Sequence, residues 1–521
     1  MNAIDLSLFV SRMESICVEM GVVLRRTAFS PNIKDRLDFS CALFDAQGGL
    51  CAQAAHIPVH LGSMAFAMAD VVNRFDWQDG DTVILNDPFM GGTHLPDVTL
   101  ITPVFVDAAL QGFVVNRAHH ANIGSDTPGS MPNSTTLEEE GIVISPRYLV
   151  KASIVDDAFC RELALRLGLV APTVGSLPGG DLAAQFSANR VGRARLLALI
   201  DRMGVQAHAG ALVELNRYGE ALTRPALADL PKGTWHYTDV MDDDGQGRRD
   251  IPIAVALTID GNDMQVDFAG TASQVKGNIN CPLAVTAAAV FYVLRCLLPT
   301  HTPACAGIFK PLKLAAPEGS LVHALPPAAV AAGNVETSMR IVDVMLGALQ
   351  QALPGRIGAA SQGTMNNVAM GARAGADQPR WDYYETLAGG MGADATGQGL
   401  SAVHSHMTNT LNTPVESVEL HYPLRVRRYA IRRGSGGNGQ YAGGDGLIRE
   451  YEFLAQTEVS LLTERRRHGP PGLAGGVAGK PGMNLLNGKI LPGKTAIRVQ
   501  PGDRLVLETP GGGGYGRKSG N

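Results

Sequence analysis

The residues best placed to do chemistry are in "NDPFMGGTHLPDVTLITPVF", residues 86–105, and "NRAHHANIG", residues 116–124. The first stretch sets His94 and Asp97 three apart in a Gly/Pro-containing loop, and the second puts His119 and His120 after an apolar run. Imidazole and carboxylate stay deprotonated near neutral pH, as ligands of a divalent cation must. A catalytic ion takes about three protein ligands and keeps a position open for water or substrate. His94 and Asp97 can converge on one ion, and a neighbouring strand end can bring His119 to it. Asp38, in "RLDFSCALFD", is a fourth candidate, carried in by another strand. His56 and His60 complete a window holding five of the 13 histidines. A single buried histidine is more often structural than a ligand. Adjacent His119 and His120 also point opposite ways on a strand, so one of them faces elsewhere. Glu140 leads into the apolar "GIVISP", which suggests a general base at a pocket mouth; a solvated acidic turn over 138–140 is the plainer alternative.

Other patterns exclude chemistry. "GSGGNG" (434–439) and "GGGGYG" (511–516) both fit GxGxxG, but neither opens a helix whose N-terminus would take a pyrophosphate. They read as turns. No GxxxxGK[ST] or GxSxG occurs, so neither a phosphate loop nor a nucleophile elbow is visible.

The elements that must position these residues follow from periodicity. Leu6, Phe9, Met13, Ile16, Met20 and Val23 predict an amphipathic helix over 4–26. "DFSCALFDAQGGLCAQ" reads as strand, turn and strand, and residues 181–203 as a helix. Alternation over 236–270 predicts a small sheet, with helices over 278–299 and 334–352. From about 415 the strand-like segments are separated by glycine-rich turns. We expect a mixed α/β (α+β), multi-domain chain: an N-terminal α/β metal-site region (1–235), a central α+β region (236–414) and a β-rich C-terminal region (415–521). Hydrophobic content of 45%, 61 glycines and 30 prolines in 521 residues suit a large loop-rich enzyme. A net charge of −5 without a Lys/Arg block argues against nucleic acid. "LAVTAAAVFYVLRCLL" (283–298) carries Arg295 and reads as a buried helix, so no membrane is expected. Seven cysteines without a CxxC pair, and no signal-like start, suggest reduced thiols and a cytoplasmic location.

"LRRTAFSPNIKDRLDFSCALFD", "AQAAHIPVHLGSM", "NDPFMGGTHLPDVTLITPVF", "RAHHANIG", "PGSMP", "EEGIVISP", "HMTNTLNTPVE", "GSGGNGQYAGGDG" and "TPGGGGYG" follow one another along residues 4–517. In that order they resemble the hydantoinase B/oxoprolinase pattern. The resemblance implies one subunit of an ATP-dependent cyclic-amide hydrolase of the N-methylhydantoinase, 5-oxoprolinase or caprolactamase type, with the acetone carboxylase α subunit as a relative. It implies an A-type partner subunit with an actin-like fold that binds ATP and phosphorylates the substrate. The family's metal ligands would fall on His94, Asp97 and His119, with Asp38 also plausible. The ion would be zinc, manganese or iron.

An amide's resonance makes both its carbonyl carbon and its leaving nitrogen unreactive. Phosphorylation of the amide oxygen by the partner would remove that resonance, and the metal pocket would complete ring opening, with His120 or Glu140 relaying the proton. Carboxylation of a phosphorylated enol is the alternative, and a non-catalytic scaffold for the ATPase subunit the third reading.

Overall fold

The computed structural model describes residues 2–54, 56–373 and 380–518. Its first sheet is fully antiparallel and has seven strands. Their order is Leu50–Gln53, Phe39–Asp45, Ala109–His119, Asp97–Val106, Thr82–Leu85, Arg147–Lys151 and Ile154–Val155. Residues 97–104 are buried without interruption, because helices cover both faces of the sheet. On one face lies helix Pro58–Val72, where Leu61, Met64 and Met68 meet Ile101, Phe113 and Val115. On the other lies helix Asp181–Met203, whose Gln185 and Asn189 bond the carbonyls of Val98 and Leu100 at 2.8 and 3.2 Å. Strand alternation assigns the intervening residues to these two faces.

The N-terminal helix runs Ala3–Thr27, capped by Asn2, whose side chain accepts from the Asp5 N–H. It buries Phe9, Met13, Ile16, Met20 and Leu24. The hairpin read from "DFSCALFDAQGGLCAQ" forms as expected, as does the helix over 181–203. Helices Pro58–Val72 and Val205–Ala228 are additional to those that periodicity predicts. The second follows helix Asp181–Met203 after one break at Gly204, where no side chain caps it.

A second sheet contains Gly233–Asp243, Arg249–Asp260, Asp263–Asp267 and Leu312–Ala315. Strand Arg249–Asp260 alternates buried and half-buried residues, the mark of one covered face. Helix Leu283–Leu297 is buried, as its composition suggests, and it packs so closely on helix Pro58–Val72 that a Cβ on Gly62 would lie 2.6 Å from Ala288 Cα. Among the described residues no single helix is long and apolar enough to cross a membrane. All seven cysteines are free, and only Cys296 is exposed.

The remaining strands form two sheets. One joins Trp381–Glu385, Asn367–Ala372, Thr457–Leu462 and Lys494–Val499; the other joins Leu424–Arg432, Gly446–Phe453, Arg504–Glu508, Met483–Leu486 and Lys489–Leu491. The first of these straddles the expected boundary at 415, because Asn367–Ala372 pairs with a strand about 90 residues later. Such distant pairing leaves no local periodicity. The two glycine-rich stretches interlock backbone to backbone: Gly437 N–H donates to Gly512 O and Gly512 N–H to Gly444 O, at 2.8 and 2.9 Å. A Cβ on Gly512 would collide with Met391 O, so close main-chain approach, not phosphate binding, demands glycine there.

Candidate metal centre

Strand register builds the site. In the first sheet Asp97 pairs directly with His119, and Phe39 with Ala118, so Asp38 follows on as the neighbour of His119. The His119 N–H donates to Asp38 O at 3.0 Å. Directly paired residues project from the same face. Asp38, His119 and Asp97 therefore form one row across three strands, on the face that helix Pro58–Val72 covers. The turn in which Asp97 N–H donates to His94 O, at 3.1 Å, adds His94 to the row's end.

One ligand atom from each of His94, Asp97 and His119 lies within 4.8 Å of the others, and all three residues are buried. His94 Nε2 and His119 Nδ1 stand 3.1 and 3.3 Å from Asp97 Oδ1. His94 Nδ1 stands 3.2 Å from Ala331 O. A carbonyl only accepts, so Nδ1 carries the hydrogen and a neutral His94 turns the lone pair of Nε2 toward the carboxylate. Two lone pairs face to face need a cation or a proton between them. In agreement, His94 Nε2, Asp97 Oδ1 and His119 Nε2 have no hydrogen-bond partner among the described residues. The donor set, its burial and these orphaned atoms fit a divalent ion. The other carboxylate oxygen, Oδ2, is held by Thr93 Oγ1 at 2.6 Å, His60 Nε2 at 3.2 Å and Asn334 Nδ2 at 3.3 Å.

Burial alone would raise the Asp97 carboxyl, but His60, His94 and His119 hold it well below the usual carboxylate range. Burial lowers His94 in turn, yet Asp97, the Ala331 carbonyl and Asp38 together outweigh it and raise that imidazole. His119 is lowered, mainly by burial.

The other expected residues stand apart from this group. Asp38 lies beside it, 3.9 Å from His60 Nε2 and 3.4 Å from Arg36 Nη1. His120 is not brought to it. Its ring projects from the opposite face of the sheet, as alternation requires, and meets Gln185 Oε1 at 2.8 Å. Glu140 is fully buried, not at a pocket mouth. Its Oε1 accepts from Ser134 Oγ and from the N–H groups of Val330 and Ala331, at 2.7, 2.8 and 2.9 Å. Glu140 thereby clamps the segment whose carbonyl orients His94. Burial pushes its pKa up to about 7.

A family model described as hydantoinase B/oxoprolinase matches residues 2–518. The chain belongs to that family. It is 40% identical over 548 residues to 5-oxoprolinase 1 of Arabidopsis thaliana, an alignment spanning 99% of this chain and 42% of that protein. The chain thus spans about two-fifths of the length of such relatives. A protein of Pseudomonas sp. (strain NS671), named as the B-type subunit of a D-/L-hydantoinase, is 32% identical over 99% of this chain and 90% of its own. The fold superposes on ATP-dependent caprolactamase from Pseudomonas jessenii with a TM-score of 0.89 at 26% identity, covering 99% of this chain and 91% of that one. Acetone carboxylase in its nucleotide-free structure gives 0.85 at 18%, covering 99% and 76%, and shares the fold.

Several of this family member's site residues escape sequence reasoning. His60 sits in the histidine window, yet spacing gives no sign that it meets Asp97; its place near the start of a helix capping the sheet explains that reach. Asn334 comes from a π-helical turn, Gly333–Thr337, leading into helix Ser338–Ala352. Such turns are rare and recur at functional sites. Tyr384, whose ring stacks on His119, and Arg36, beside Asp38, carry no local signal at all.

Proposed function

We propose that this chain is the metal-bearing B-type component of an ATP-dependent cyclic-amide hydrolase that works with an A-type ATPase component. The observation that carries this reading is the meeting of His94, Asp97 and His119, with His94 Nε2 and the Asp97 Oδ1 that faces it unpartnered. Those three would hold the ion, with Asp38 beside them. Bound there, a divalent cation supplies Lewis-acid polarisation of a carbonyl or phosphoryl oxygen. The chain's own groups do the rest. Asp97 gathers His60, Thr93 and Asn334 around one oxygen and leaves the other for the ion. Ala331 O fixes the His94 tautomer, and Glu140 fixes Ala331. Burial of the whole group keeps out bulk water, so that the one water ring opening consumes would be admitted with the substrate.

Ring opening is favoured over carboxylation because the two relatives described above, at 40% and 32% identity, bear 5-oxoprolinase and hydantoinase names. The test combines the purified chain with its A-type partner and ATP, and offers hydantoins, 5-oxoproline and lactams, with bicarbonate plus a ketone as a separate arm. ADP release coupled to ring opening, and its loss in His94→Ala, is the expected result. Full turnover by a chain that holds no stoichiometric metal would end the proposal. Carboxylation in the bicarbonate arm would select the second reading.

A further inference from the structure

We infer that a cleft on the face of the first sheet opposite the metal centre is a second small-molecule site, for a neutral ligand presenting one N–H beside an apolar ring. The cleft encloses about 510 Å³, inside the roughly 300–1,000 Å³ range of small-molecule pockets. Ile84, Val98, Ile144, Leu163, Leu167 and Leu182 supply apolar walls. His120 lies in the same lining and is only 9% exposed.

The hydrogen bonds behind His120 decide what it offers. Asn116 Nδ2 donates to Gln185 O and to Asn189 Oδ1, at 2.8 and 2.7 Å, which makes Asn116 Oδ1 an acceptor. Gln185 Nε2 donates to that oxygen and to Val98 O, both at 2.8 Å. Gln185 Oε1 is therefore the atom facing His120 Nε2 at 2.8 Å, and His120 Nε2 must carry the hydrogen. In the neutral ring Nδ1 is then a bare acceptor, with no partner among the described residues. The charged groups in the lining are already engaged, Arg380 with Asp382 at 2.8 Å and Asp181 with the Phe29 and Ser30 N–H groups. The histidine locked in one tautomer beside apolar walls is therefore a receptor for a single donor. Val98 and His120 alternate with Asp97 and His119, so the sheet itself separates the two sites.

A lactam matches this lining, since its ring is hydrocarbon apart from the amide and its N–H is its one strong donor. That choice of ligand rests on the cyclic-amide reading above. The site itself does not.

The test measures binding of δ-valerolactam and N-methyl-δ-valerolactam to the full chain carrying His94→Ala, with a crystal soak to locate the ligand. We expect δ-valerolactam density in the cleft. The N-methyl compound, and His120→Phe with δ-valerolactam, should each bind about tenfold more weakly, as expected for one lost hydrogen bond. Leu182→Trp, which fills the cavity from its apolar wall, should abolish binding. Equal affinity for the two lactams, or an undiminished affinity in Leu182→Trp, overturns the inference. Metal content and ATP-coupled ring opening of the unaltered complex report on the metal centre alone, so the two readings fail separately.

Discussion

Tyr384 lies flat on His119, with ring centroids 4.7 Å apart and planes within 6°. The Arg36 guanidinium sits 4.7 Å from the centroid of the same tyrosine ring. The Tyr384 hydroxyl donates to Asn367 Oδ1 at 2.6 Å, and Asn367 Nδ2 donates to Glu336 Oε1 at 2.7 Å. A residue 265 positions away thus sets the plane of a candidate ligand. Tyr384→Phe keeps the stack and should retain metal affinity, at a stability loss of about 1–3 kcal/mol for the stranded amide oxygen. Tyr384→Ala should cost about 3–5 kcal/mol and weaken metal binding as well. Denaturant melts and metal titration separate the two effects.

Asp97 is the hub of the centre, and His60 is its outer partner at 3.2 Å. His94→Ala, Asp97→Ala and His119→Ala should each lose stoichiometric metal in elemental analysis. His60→Ala should keep the ion but bind it about 10–100-fold less tightly, the usual penalty for removing such a partner. Unchanged affinity in His60→Ala would show that Thr93 and Asn334 suffice to hold Asp97.

Glu140 gives a pH test. Its carboxyl rises from 4.5 in the unfolded chain to about 7 in the fold because it is buried. An acid raised on folding binds more protons in the native state between those values, so its contribution to stability falls as pH climbs from about 4.5 to about 7. Glu140→Gln mimics the protonated form and keeps an acceptor for Ser134, Val330 and Ala331. In this variant the metal-free stability profile should flatten across that window. A slope identical to the parent's would assign it to other carboxyls, Glu336 first, since burial pushes it to about 7 as well.

Gly512 tests the interlocked glycines. Gly512→Ala would press a methyl into Met391 O and should lower stability by about 1–3 kcal/mol or more, as overpacking does. Neither the parent chain nor this variant should bind a fluorescent ATP analogue, since these glycines serve main-chain packing and not phosphate.

How much is legible in the sequence depends on distance along it. The helix Ala3–Thr27 and the hairpin ending at Gln53 show themselves through spacing, and so does the nearness of His94 to Asp97. His119 needs only the next strand of a hairpin. Asn334 and Tyr384 stay hidden because the contacts that give them meaning span 237 and 265 residues in sequence. Strand Asn367–Ala372 gives no local sign of its sheet for the same reason, since it finds its partner only at Thr457–Leu462. His120 is legible as one of an adjacent pair, but which of the two turns toward Asp97 is settled by register, not by spacing.

The row Asp38–His119–Asp97 is only half of a shell that closes with Ala331, Asn334 and Tyr384. A nascent chain must therefore extend past residue 384 of 521 before the proposed metal site has all its walls. Metal retention then becomes a read-out of completed folding, and a fragment ending at residue 235 should exchange its ion freely with a weak chelator while the whole chain does not.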